Sequence, residues 1–236
     1  MGGTPAERAA GEELARRLEG VTRVVLRPVA SPLALGFLAL AAATFVLAGL
    51  QLGWVEQAEG HKAALVILAF TVPLQFLASV IGFLARDGIA ATGMGLLSGI
   101  WLAVSLVMLS SPPGSKSDAL GMFLLMGGVA MWVPGLNSFS AKVVPALVLS
   151  TAGLRFFLGG LHQLTGDETW ENVAGVVGLA LAGLAVYAAF AVELEDTHKR
   201  EVLPLGRRGK AKEASEGGLF EQLKELDSEP GVKKQL

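Results

Sequence analysis

Arg155 is the residue most out of keeping with its surroundings, because residues 143–164 are otherwise free of Asp, Glu and Lys. In a helix starting near Val143 it lies about 12 residues in, or roughly 18 Å along the axis. At the centre of a membrane helix an arginine costs roughly 2.5–3.5 kcal/mol. Two roles fit such a residue. It draws an anion into a pathway, or it snorkels to the outer interface or pairs with a backbone carbonyl. Gln75 places an amide in an apolar run, and Thr44, Ser79, Thr92, Ser98, Ser105, Ser150 and Thr151 place hydroxyls in others. Each of these alone reads first as a helix–helix hydrogen bond. Trp101 and Tyr187 each carry one polar handle on a large apolar body, suited to narrowing a pore or to filling a core.

Other chemistry is sparse. Cysteine is absent, and the three histidines (His61, His162 and His198) fall near the ends of apolar runs. No Ser/His/Asp set, carboxylate pair or phosphate-binding loop stands out, which argues against an enzyme. No metal or cofactor is expected. No Asp or Glu sits deep in a run, so a carboxylate proton relay has no support. If transport is proton-linked, the substrate itself carries the proton as a neutral acid. There is no basic face with interleaved aromatics, so a nucleic-acid partner is not expected.

The elements that position these residues follow from charge distribution. Residues 28–55, 63–85, 88–115, 119–141 and 172–192 lack Asp, Glu, Lys and Arg entirely, and charged residues make up only 17% of the chain, against roughly 25% in a soluble domain. About 20 apolar residues span ~30 Å of hydrocarbon. The runs therefore predict an all-α, polytopic protein with six transmembrane helices and the bilayer as its solvent. Expected spans are 32–55, 63–85, 88–109, 119–133, 143–164 and 172–194. Pro73 should kink the second, and Pro134-Gly135 should end the fourth. Gly95 with Gly99, the run Ala174, Gly178 and Ala182, and the pairs Gly127-Gly128 and Gly159-Gly160 supply small residues for close helix packing.

Basic residues set orientation. Arg23, Arg27, Arg86, Lys142, Lys199, Arg200, Arg207 and Arg208 fall on one side, and Lys62 and Lys116 on the other. Both termini are thus expected in the cytoplasm of a multi-pass cell-membrane protein. Residues 1–28 read as a polar N-terminal segment, 29–206 as the membrane domain and 207–236 as a polar, mobile tail. Within the tail, residues 219–226 have helical spacing. The alternative function is a structural or signalling protein whose tail binds a cytosolic partner. A path for ammonia or bicarbonate is a third.

Four segments resemble the acetate uptake transporter family, which includes the bacterial succinate–acetate permeases of YaaH type. Val29-Ala-Ser-Pro32-Leu33-Ala-Leu35 stands where the family has Asn-Pro-Ala-Pro-Leu-Gly-Leu. Gln75-Phe-Leu-Ala78-Ser79 is similar to Gln-x-x-Ala-Gly. Asp87-Gly-Ile-Ala90-Ala91-Thr92-Gly-Met94 resembles Asn-Thr-Phe-Gly-Ala-Thr-Ala-Phe, with Ile100-Trp101-Leu102 for Phe-Trp-Leu. Tyr187 and Val202-Leu203-Pro204-Leu205-Gly206 match the closing segment. The chain departs from the pattern at Val29, Ala30, Gly82, Leu97, Met94 and, approximately, Arg155. The resemblance implies a small monocarboxylate such as acetate crossing within each protomer of a homo-oligomer, with hexamers among bacterial relatives. It puts Pro32, Leu33 and Leu35 at the inner mouth and Gln75, Thr92, Leu97 and Trp101 along the path. Arg155, a departure from the family pattern, is expected beside that path, where its charge would favour the anion.

Overall fold

A computed structural model describes residues 30–198 and 200–209. Residues 1–29, and the tail segment 219–226, lie outside the described residues. Among the described residues, six helices are long and apolar enough to cross a bilayer: α1 Leu33–Gln51, α2 Gln57–Leu84, α3 Gly88–Ser110, α4 Asp118–Ser138, α5 Val143–Thr165 and α6 Glu168–His198. The chain is a multi-pass, all-helical membrane protein. Each helix packs on the next, and α6 returns to pack on α1, so the six close into a ring around a common axis. The α4–α5 contact is the most extensive.

Local sequence explains the helix ends and irregularities. Asp87 caps α3 by accepting from the Ala90 N–H at 3.0 Å, and Ser117 caps α4 by accepting from Leu120 at 3.3 Å; each satisfies a donor that the first turn leaves orphaned. The turn expected at Arg86-Asp87-Gly88 is present, with Arg86 in the left-handed region at φ 59°. Gly166 ends α5 at φ 74° and donates to the His162 carbonyl, the glycine stop common at helix C-termini. Pro73 does perturb α2. A π-helical turn, Ile67–Thr71, precedes it, widening the helix where the proline cannot donate to the carbonyl four residues back.

The expected stop at Pro134 does not occur: α4 runs on to Ser138 with Pro134 inside it. Packing on α5 outweighs the lost backbone bond. A Cβ placed on Gly135 would lie 2.8 Å from Ser150 Oγ, and Trp132 Nε1 donates to the Ser150 carbonyl at 3.1 Å. The last turn of α4 is therefore held against its neighbour. The first helix ends at Gln51 rather than Val55, and α6 extends past both expected limits.

Glycines spaced by seven make the α4–α5 contact close. Gly121, Gly128 and Gly135 on α4 face Gly153 and Gly160 on α5. A Cβ on Gly128 would sit 2.6 Å from the Gly153 carbonyl oxygen, and one on Gly160 2.8 Å from that of Gly121. Lipid supplies no hydrophobic drive between helices, so such backbone-to-backbone approach is how they hold together. Hydroxyls add cross-helix bonds: Thr71 Oγ1 to the Ala39 carbonyl at 3.0 Å, Ser79 Oγ to Ala91 at 2.7 Å, and Ser98 Oγ to Val72 at 3.0 Å.

After α6 the chain turns back beneath the ring. Tyr187 Oη donates to the Pro204 carbonyl at 3.0 Å. Leu205, fully buried, joins the core. Val143 and Val144, the first residues of α5, donate to the carbonyls of Gly206 and Leu205, each at 3.1 Å, and the Arg208 N–H donates to Ala141. This strap supplies acceptors to a helix start whose N-cap, Lys142, offers no side-chain bond. Arg207 pairs with Glu195. The packed chain thus extends past residue 206, the expected limit of the membrane domain, into Arg207 and Arg208.

Candidate functional site

The inward face of α3 supplies the line along which a site can be built. Ala90, Met94, Leu97, Trp101 and Ser105 recur every three or four residues, the spacing of one helix face, and all are buried. Ala90 and Met94 lie at its basic end. There a cavity of about 70 Å³ opens, walled by Leu33, Phe37, Ile89, Met94, Pro145 and Leu149. A water needs about 10–15 Å³ by the same measure, so the space takes several waters or a small organic acid. Asp87 and Lys142 are the charged groups in its lining. The basic residues Arg86, Lys142, Arg200, Arg207 and Arg208 share this end of the ring, which the charge rule makes cytoplasmic.

Phe37, in the cavity wall, is itself fully buried, and beyond the cavity Leu97 and Trp101 fill the interior. Gln75 on α2 is also fully buried. Its Nε2 donates to the Gly36 carbonyl at a long 3.4 Å, while its Oε1 has no protein partner. Trp101 packs edge-on against Phe156 of α5, with ring centroids 5.3 Å apart.

Arg155 lies at the same level as Trp101 and is 2% exposed. It does not snorkel. Its guanidinium turns inward between α1 and α6, with Nη2 donating to Gln51 Oε1 at 3.1 Å and standing 3.5 Å from the Thr44 carbonyl. Its Cζ is 5.5 Å from the Trp101 ring centroid, within cation–π range. Gly178 makes room for it, because a Cβ there would lie 2.6 Å from Arg155 Nε.

The structure therefore brings Leu33, Gln75, Leu97, Trp101 and Arg155 to the interior. Pro32 is buried as the N-cap residue of α1, and Leu35 is half-buried on α1, outside the cavity lining. Thr92 is a correction. It is exposed on the outer face of α3, because five residues before Leu97 is about 140° around the helix from it. Tyr187 is neither pore nor core; it tethers the strap. Phe37, Leu149, Gln51 and Gly178 were missed. The α3 stripe and the α1 run through Leu33 and Phe37 contained the signal for the first of these, since residues four apart share a face. Gln51 and Gly178 are set by the reach of a side chain from another helix, which no local spacing encodes.

Fold and site together define a six-span membrane protein with a mostly apolar cavity at one end and buried polar side chains within the helix ring. Residues 16–204 match the GPR1/FUN34/yaaH family, and the chain belongs to it. Among solved structures it is similar to one titled "Structure of the bacterial acetate channel SatP", at a TM-score of 0.66 and 22% identity, covering 75% of this chain and 99% of that one. An uncharacterized protein of Methanothermobacter thermautotrophicus is 23% identical over 141 residues, 55% of this chain and 69% of the relative.

Proposed function

We propose that this chain carries a small monocarboxylic acid, with acetate the first candidate, through the axis of its own helix ring. The cavity at the inner end carries the reading: its walls are mostly apolar, and Met94, which lines it, is followed on the same face of α3 by buried Leu97 and Trp101. The family and the fold shared with a bacterial acetate channel support it. Apolar walls resist hydrated inorganic ions, while a two-carbon acid presents a methyl group to them. The Gln75 amide is a neutral polar stop. Its acceptor suits the protonated acid, and rotation of the amide offers donors to the ionised form. Passage needs side chains along the axis, Leu97 and Trp101 first, to move aside.

A homo-oligomer belongs to the same reading, with a hexamer the form the family resemblance implies. Exposed Gly88, Thr92 and Gly99 leave the outer face of α3 small, which suits close approach of a second copy.

Flux of labelled acetate into proteoliposomes, against protein-free liposomes, tests the function. Uptake should be carrier-dependent and should fall with excess propionate or lactate. Equal rates in both vesicle types would refute it, and competition by ammonium alone would move the substrate to another class.

A further inference from the structure

Among the described residues, Arg155 is a buried cation with no carboxylate in ion-pair range; carboxylates pair elsewhere, Glu59 with Lys62 and Glu195 with Arg207. Three hydrogen-bond donors at its level or one helical turn from it lack a protein acceptor: Arg155 Nε, Trp101 Nε1 and Ser105 Oγ. They are not scattered. The guanidinium lies beside the Trp101 ring, and Ser105 follows Trp101 by one turn on the same face of α3. All three residues are at least nine-tenths buried. The α6 backbone is cleared for the arginine at Gly178, and the Gln51 amide oxygen orients it from α1. A packing role for a long side chain needs none of this. Leucine fills space without a charge, and unpartnered buried donors carry a desolvation cost.

One positive charge and a set of unfilled donors are complemented by a monoanion with acceptor oxygens. A neutral acid leaves the guanidinium uncompensated, and a dianion leaves excess negative charge in a low-dielectric layer. We propose that Arg155, Trp101 Nε1 and Ser105 Oγ form an internal site for a carboxylate monoanion, so that the substrate passes this layer ionised and its charge crosses the membrane with it. The inference rests on the transport reading above and adds to it the charge state of the substrate and a preference for monocarboxylates over dicarboxylates. Arg155 supplies the charge, Trp101 and Ser105 the second and third donors, and Gln51 acts only by positioning the guanidinium.

The test uses the full chain in proteoliposomes with a potassium diffusion potential set by valinomycin. At pH 7 acetate uptake should rise several-fold when the interior is made positive, and succinate should compete at least tenfold more weakly than propionate. Arg155→Met should lose the dependence on potential and at least tenfold of the flux, whereas Arg155→Lys should keep the dependence with a weaker apparent affinity. Trp101→Phe retains the ring and removes one donor; its half-saturating acetate concentration should rise several-fold with potential dependence intact. Size-exclusion elution of each variant checks folding. If Arg155→Met fails to fold, the wild-type potential response and Trp101→Phe still decide the matter. Carrier-dependent uptake that ignores potential, or Arg155→Met that retains the potential response, overturns the anion site and leaves the transport reading standing. No wild-type uptake at all overturns the transport reading itself.

Discussion

Replacing Gly128 by alanine adds one methyl group at the tightest point between α4 and α5. Its Cβ would stand 2.6 Å from the Gly153 carbonyl oxygen and 3.0 Å from both the Cβ and the amide nitrogen of Phe157. Two of those three atoms are backbone, so no rotamer relieves the clash. Restoring ordinary contact means moving the helices apart by roughly 0.8 Å, since such contacts begin at about 3.4 Å. A gap of that size forfeits a quarter to a half of the dispersion attraction between facing atoms. It would be felt along the seam, at Gly121, Gly135, Gly153 and Gly160 as well. Overpacking of this kind costs about 1–3 kcal/mol. A central value of about 2 kcal/mol is roughly a 30-fold fall in the ratio of folded to unfolded protein. Reversible unfolding in mixed micelles by added dodecyl sulfate measures it. Gly183→Ala is the control, because a Cβ there meets nothing within 4 Å and alanine favours the helix by about 0.5–1 kcal/mol. Gly128→Ala should unfold at a lower detergent fraction than wild type, and Gly183→Ala at the same or a higher one. Equal midpoints for the two variants would refute backbone contact as the basis of the seam.

Three further substitutions separate path, tether and outer face. Gln75→Leu removes one long hydrogen bond and one unpartnered acceptor, so stability should change by less than about 1 kcal/mol while acetate flux in proteoliposomes drops several-fold; unchanged flux would take Gln75 off the path. Tyr187→Phe loses the bond to Pro204, worth about 1 kcal/mol, and the amides of Val143 and Val144 should exchange with solvent deuterium about fivefold faster by mass spectrometry. Identical exchange would mean the strap holds without it. Thr92→Val should leave flux per protomer unchanged because its side chain points away from the axis; a large loss would return it to the path.

The helix count and most helix limits were legible because membrane solvent imposes one rule, long stretches without charge, on each span separately. Pro73 was legible for the same local reason. Pro134 was not, since whether a proline ends a helix depends on what grips the turn beyond it, here Ser150 on another element. The small residues were recognised as packing sites, but attention to spacings of four hid the spacing of seven at Gly121, Gly128 and Gly135. Arg155 announced itself by charge alone. Its inward turn did not, because direction is decided by Gly178 on α6 and Gln51 on α1, both on helices other than its own. Thr92 shows the converse: a motif can align while its side chain points outward, and the angle around α3 shows which way.

The strap beneath the ring makes the cytoplasmic end of the fifth span depend on residues synthesised only after the sixth span. Until Leu205 and Gly206 have been synthesised and have swung back, the amides of Val143 and Val144 have only water to bind, and the pocket that Leu205 fills stays open. Insertion of the six spans and completion of the fold are therefore separate events in time. Truncation before Leu205 should yield a protein that is integrated into the bilayer yet unfinished at its inner face.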